Sequence, residues 1–123
     1  MRLLPPITTL SASRSALRSG AASPIEVLAA CGDRIEQSEA LVRAWSTCDL
    51  GLAQRGADRL DAAQRSELPL WGIPIGIKDI VDVARMPTAA GSRVLAGTIA
   101  HAGAPVVARL RAAGAVIVGK TNT

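Results

Sequence analysis

The 123-residue sequence has no phenylalanine and no tyrosine, and its only aromatic residues are Trp45 and Trp71. Its core must therefore be aliphatic. The stacking platform that single-stranded nucleic acid uses is missing too. The net charge of +4 comes mainly from twelve arginines, which are scattered with no Lys/Arg block. Direct nucleic-acid binding is not expected from such a pattern. There is one histidine, His101, and the two cysteines, Cys31 and Cys48, fit no metal or redox spacing. No metal and no cofactor is expected. Unclustered cysteines without a secretion signal read most simply as reduced thiols in the cytoplasm. No apolar run is long enough to cross a bilayer, so no membrane partner is expected. Residues 1–25 carry Arg2, Arg14, Arg18 and several serines but no acid, a composition shared with organelle transit peptides. A capped helix explains the same stretch and is preferred.

An apolar fraction of 49% with 20% charged residues belongs to a globular chain rather than a disordered one. The length fits one domain, small for an α/β enzyme. Thr8 to Leu17 reads as a short helix, capped by Thr9 or Ser11 and followed by Gly20. Ser23-Pro24-Ile25-Glu26 is a capping box with proline at the first helical position. Ile25, Leu28, Ala29 and Ile35 then recur at helical spacing. Gly32 weakens that helix by about 1 kcal/mol relative to alanine unless something packs tightly against it. Leu41 to Thr47 reads as a strand, and Asp49 caps a helix running to about Gln64.

The most informative stretch is Leu70-Trp71-Gly72-Ile73-Pro74-Ile75-Gly76-Ile77-Lys78-Asp79. Strict alternation of isoleucine with other residues is a strand signal. It puts Ile73, Ile75 and Ile77 on one face and Pro74, Gly76 and Lys78 on the other. That second face is almost bare, and glycine in a strand marks a close approach by ligand or backbone. On this segment alone, Lys78 is either a solvated lysine where a buried strand surfaces or a functional one. Residues 84–97 read as loop with a helical turn from Ser92 to Leu95, and a loop this long is more often functional or partner-covered than idle. Ala104-Pro105 opens a helix with Val106, Val107 and Leu110 inward, ended by Gly114, and Val116-Ile117-Val118 is a buried strand. Strand, helical crossover and strand outline a parallel sheet.

Gly114 to Thr121 satisfies the phosphate-loop pattern G-x-x-x-x-G-K-[ST] letter for letter. The chemistry needs a loop whose N–H groups turn toward phosphate and a helix that begins there. The spacer here is Ala-Val-Ile-Val, apolar and β-prone. Nucleotide binding is rejected on that ground.

Gly72-Ile73-Pro74-Ile75-Gly76-Ile77-Lys78-Asp79-Ile80-Val81-Asp82 resembles the amidase signature family, which includes amidases and the A subunits of glutamyl-tRNA amidotransferases. The likeness continues through Met86-Pro87-Thr88, Gly91-Ser92, Ala104-Pro105-Val106-Val107, Leu110 to Ala115 and Gly119-Lys120-Thr121-Asn122. It is dense over residues 68–123 and looser over 8–66. The resemblance implies carboxamide hydrolysis, or glutamine-amide transfer in members that belong to amidotransferases, on a large α/β/α sandwich. It implies a nucleophilic serine, a second serine in a cis peptide, and a lysine, whose position in the motif is that of Lys78. The Gly/Ser-rich segment that brings the serines in the family is not among these 123 residues. Ser11, Ser13, Ser15, Ser19 and Ser23 sit in or beside helical segments and read as caps and exposed positions. The sequence departs from the family at Gly103, where an acid is common, at Trp71, where histidine is frequent, and at Arg85, where a small residue is.

The chemistry explains the set. An amide carbonyl is a poor electrophile, so a serine needs a base and its oxyanion needs fixed donors. A lysine serves as base only when neutral, which calls for a pKa lowered from about 10 toward 7–8. Asp79 leaves the opposite side of a regular strand and need not pair with Lys78.

These readings give an α/β fold, an incomplete amidase-like α/β/α sandwich with N-terminal helices and then a partial parallel β-α-β segment. A single partial domain spans 1–123, with 1–66 mainly helical and 67–123 opening the α/β core. The expected function is that of an amidase-type carbon–nitrogen hydrolase acting on a small-molecule amide, with Lys78 as its catalytic lysine and no turnover from these residues alone. The alternative is a non-catalytic binding or assembly piece. A partial parallel sheet exposes strand edges, so self-association or pairing with a complementary C-terminal part is expected.

Overall fold

The computed structural model describes residues 9–123. The start of the first expected helix, at Thr8, and Arg2 lie outside them. Helix α1 spans Leu10–Ser19, with the Thr9 hydroxyl accepting from Ala12 N–H at 3.1 Å and Gly20 in the left-handed region at its end. Helix α2 spans Pro24–Val42. Its capping box is complete: Ser23 Oγ accepts from Glu26 N–H at 3.2 Å, and Glu26 Oε2 accepts from Ser23 N–H at 2.7 Å. Gly32 is tightly packed, since an added Cβ would sit 3.1 Å from Leu50 Cδ1.

Strand β1 is Trp45–Cys48, later than the strand expected from Leu41. The helix runs on through Leu41 and Val42 although these side chains are 89% and 60% exposed. Glu39 explains the changeover. Its carboxylate accepts from Ala44 and Trp45 N–H at 3.1 and 3.0 Å, tying the entry to β1 to the last turn of α2.

Helix α3 is Leu50–Asp58, capped by Asp49. It stops before the expected Gln64 because Asp61 caps a separate 3-10 turn, Ala62–Gln64. Strand β2 is Pro74–Lys78, helix α4 is Pro105–Ala112 and strand β3 is Val116–Thr121. No side chain caps α4, whose N-cap is Ala104. Val107 is buried, but Val106, expected inward, is 50% exposed on the outer side of α4.

The sheet order is β1-β3-β2. Strands β2 and β3 are parallel, as the crossover through α4 requires, and β1 joins antiparallel to make a mixed sheet. Gly114 makes the turn into β3 possible: its φ is +94°, and an added Cβ would lie 2.6 Å from Trp71 Cα. Leu28, Ala53, Ala57, Val116 and Val118 form one aliphatic cluster, and Ile77, Val83, Met86, Val107 and Ile117 form another. Ile73, just before β2, joins a third with Leu17, Val27 and Trp71.

The residues of the rejected phosphate loop form this turn and β3. Their backbone is spent on the sheet ladder rather than curled into an anion cradle.

Candidate active site

Lys78 ends β2 and Thr121 ends β3, paired side by side at the carboxyl ends of two parallel strands. Ligands of α/β sheets bind outside such ends. Lys78 is exposed, and among the described residues its ammonium has no hydrogen-bond or ion-pair partner. Cross-strand register puts Pro74, Gly76 and Lys78 on the face of Val116, Gly119 and Thr121. The bare face is partly filled. A Cβ on Gly76 would stand 2.9 Å from Trp45 Cη2 and 3.0 Å from Thr121 Cγ2. The close approach that glycine permits is therefore made by the Trp45 indole, and the face stays open around Lys78.

The opposite face holds a second lysine that sequence reasoning passed over. Lys120 is 0% exposed, and its Nζ lies 3.0 Å from Asp79 Oδ1. It also donates to Pro87 O and Thr88 Oγ1, each at 3.0 Å. Asp79 is 4% exposed and fully engaged. Its Oδ2 accepts from Ala89 N–H at 3.2 Å, its N–H donates to Thr121 O at 2.9 Å, and its carbonyl accepts from Ala90 N–H at 2.9 Å. Asp79 does turn away from Lys78, as alternation requires. It pairs with Lys120 instead.

This pair explains how the stretch read from sequence as loop, residues 84–97, is held. The stretch closes on itself through a bridge between Pro87 and Ile99, with Arg85 N–H donating to Ala100 O at 2.9 Å. Lys120 grips it at Pro87 and Thr88, beside the strand end that carries Lys78. The available signal was a lysine directly after an apolar strand, Val116-Ile117-Val118-Gly119-Lys120, where an unpaired charge is costly.

Trp71, at a position where the family resemblance expects histidine, is buried and donates its indole N–H to Asp61 O at 3.0 Å, with Arg65 stacked 5.2 Å from the ring centre. Its role is packing. Burial pushes the Cys31 thiol up, opposed by Arg34, and burial, Cys31 and nearby acids push up Cys48. Both are free thiols. Among the described residues no group of His, Cys, Asp and Glu could hold a metal, and no helix is long and apolar enough to cross a membrane.

The chain is 45% identical over 117 residues to the A subunit of glutamyl-tRNA(Gln) amidotransferase from Chloroflexus aurantiacus, covering 93% of itself and 24% of that protein. The corresponding protein of Oleidesulfovibrio alaskensis is 39% identical, with the same coverage. Among solved structures, the native peptide amidase of Stenotrophomonas maltophilia matches with a TM-score of 0.81 at 31% identity, over 95% of this chain and 25% of that one. An amidase family protein of Bacillus anthracis matches with a TM-score of 0.80 at 30% identity, over 95% and 24%. The chain thus spans about a quarter of the length of these relatives. Its α/β architecture is the corresponding portion of the amidase fold. The amidase family profile matches residues 26–123, and the chain belongs to that family.

Proposed function

We propose that this chain supplies the lysine base of an amidase-type hydrolase that cleaves a carbon–nitrogen bond in a carboxamide. The observation that carries the reading is the placement of Lys78 at the carboxyl end of β2, exposed and unpartnered among the described residues. In the neutral form its amine takes a proton, relayed through a second serine, from a serine hydroxyl. The serine oxygen then bonds to the amide carbon. Collapse of the intermediate breaks the C–N bond, the nitrogen leaves with the returned proton, and water releases the acyl group. Both serines come from outside these 123 residues. Acyl amides, tRNA-linked amides and urea-like compounds are the candidate substrates, and the cytoplasm is the proposed compartment.

The test joins this chain to the remaining three-quarters of the Chloroflexus aurantiacus relative and measures ammonia release from that range of amides. Turnover that falls at least about 1,000-fold in Lys78→Ala supports the reading, the scale expected when a catalytic base is lost. Turnover untouched by Lys78→Ala refutes it. The chain by itself is expected to be inactive, and amide turnover by it would overturn the assignment of the serines elsewhere.

A second reading, a non-catalytic assembly piece, draws on the edges. In the order β1-β3-β2, both β1 and β2 have one unpaired side among the described residues. Leu41 and Val94 are 89% and 90% exposed. Sedimentation separates the two readings. Stable homo-oligomers without activity in any joined form favour assembly, and recruitment into an active joined enzyme favours catalysis.

A further inference from the structure

The chain has only two lysines, Lys78 and Lys120, and they leave opposite faces of neighbouring strands. We propose that Lys120 is a positioning and charge-neutralising residue for Lys78: by holding Asp79 in a buried ion pair, it keeps the adjacent carboxylate from retaining the Lys78 proton. The inference rests on Lys78 being the base.

Three observations support it. Asp79 follows Lys78 directly, so an uncompensated carboxylate there would favour the protonated, useless form of the amine. Lys120 neutralises that carboxylate at 3.0 Å with both groups buried, which makes the pair nearly neutral as seen from Lys78. Backbone bonds fix the peptide that carries Lys78 beside that pair. Asp79 N–H and C=O are bound to Thr121 and Ala90, and Val81 N–H donates to Lys78 O at 2.9 Å. Among the described residues neither member makes a second ion pair. The Lys78 ammonium is solvent-exposed on the far face, where salt screens over roughly 10 Å at 0.1 M, so the coupling is partial and salt-sensitive.

The experiment uses amine acetylation. Acetic anhydride reacts only with neutral amines, Lys78 is exposed, and Lys120 is 0% exposed. The rate at Lys78 is followed by peptide mass spectrometry at constant pH and low salt. Trimethylamine N-oxide is added to favour the folded state without ions, and folding is checked by circular dichroism. Lys120→Met should slow Lys78 acetylation about two- to threefold, because the Asp79 charge is no longer offset. Asp79→Asn should speed it by a similar factor, because the carboxylate beside Lys78 is gone while Lys120 remains. The double variant should return to the parent rate, and added salt should shrink every difference.

A merely structural pair would not produce opposite signs in the two single variants. Equal rates in all folded variants, or faster reaction in Lys120→Met, would overturn the proposal. If Lys120→Met does not fold, Asp79→Asn decides alone, and a rate at or below the parent overturns it. Acetylation needs no turnover, so the result stands apart from the joined-enzyme assay of Lys78→Ala. An expected rate pattern with no activity would fault the catalytic reading only.

Discussion

Gly119 and Thr47 touch across the β1–β3 ladder so closely that a Cβ on Gly119 would collide with the Thr47 carbonyl and lie 2.9 Å from Cys48 Cα. Both obstacles are backbone, and neither can rotate away. Gly119→Ala should therefore cost about 2–3 kcal/mol in urea unfolding, as overpacking does. Gly56 offers the opposite case. It lies inside α3 with nothing within 4 Å of an added Cβ, so Gly56→Ala should stabilise by up to about 1 kcal/mol. The same chemical change thus carries opposite signs at the two positions.

Arg85 adopts φ +70°, in the left-handed region that favours glycine, and it is exposed. The resemblance places a small residue at this position, and the backbone supplies the reason. Arg85→Gly should raise stability by about 1 kcal/mol, or about 3–5 °C in melting temperature by calorimetry. An unchanged melting temperature would mean that the arginine makes compensating contacts.

Removing one partner of the Lys120–Asp79 pair leaves a buried charge with no counter-charge, so Lys120→Met alone should cost about 3–5 kcal/mol. Asp79→Asn with Lys120→Met removes both charges and should recover most of that loss. A double-mutant cycle in denaturant measures the coupling directly.

Burial raises the Cys31 thiol above its ordinary range, so the folded chain holds its proton after the unfolded chain has lost it. The native state then binds more protons, and stability falls as pH rises. The contribution is complete below the ordinary thiol range of roughly 8.5–9 and declines above it. Melting temperatures measured across that range should fall less steeply in Cys31→Ala than in the parent chain.

Local signals were the legible ones. The capping box at Ser23 and Glu26, proline at the start of α4 and the alternation in β2 each depend on neighbours in sequence, and each appears where expected. Non-local pairing was not legible. The exposure of Leu41 and Val42 hid the true end of α2, because an apolar pair invites an inward reading. The face of Lys120 was hidden by an irregularity. Ile75 pairs with Ile117 and Ile77 with Lys120, so residues three apart on β3 share a side and Val118 is the extra residue. Simple alternation would have put Lys120 beside Val116 and Val118, away from Asp79. Lys78 and Asp79, by contrast, are consecutive in the chain at the end of β2, and the separation of their side chains was readable from the letters.

The indole of Trp45 lies over Gly76, half-buried, on the face that ends in Lys78, whereas Trp71 is sealed in packing with its N–H already bound. The chain consequently carries its own optical gauge. A molecule that settles against Lys78 and reaches over Gly76 changes the water around Trp45 and shifts its fluorescence, while Trp71 contributes a constant background. Docking at that face is thus observable in the unlabelled protein, by emission alone.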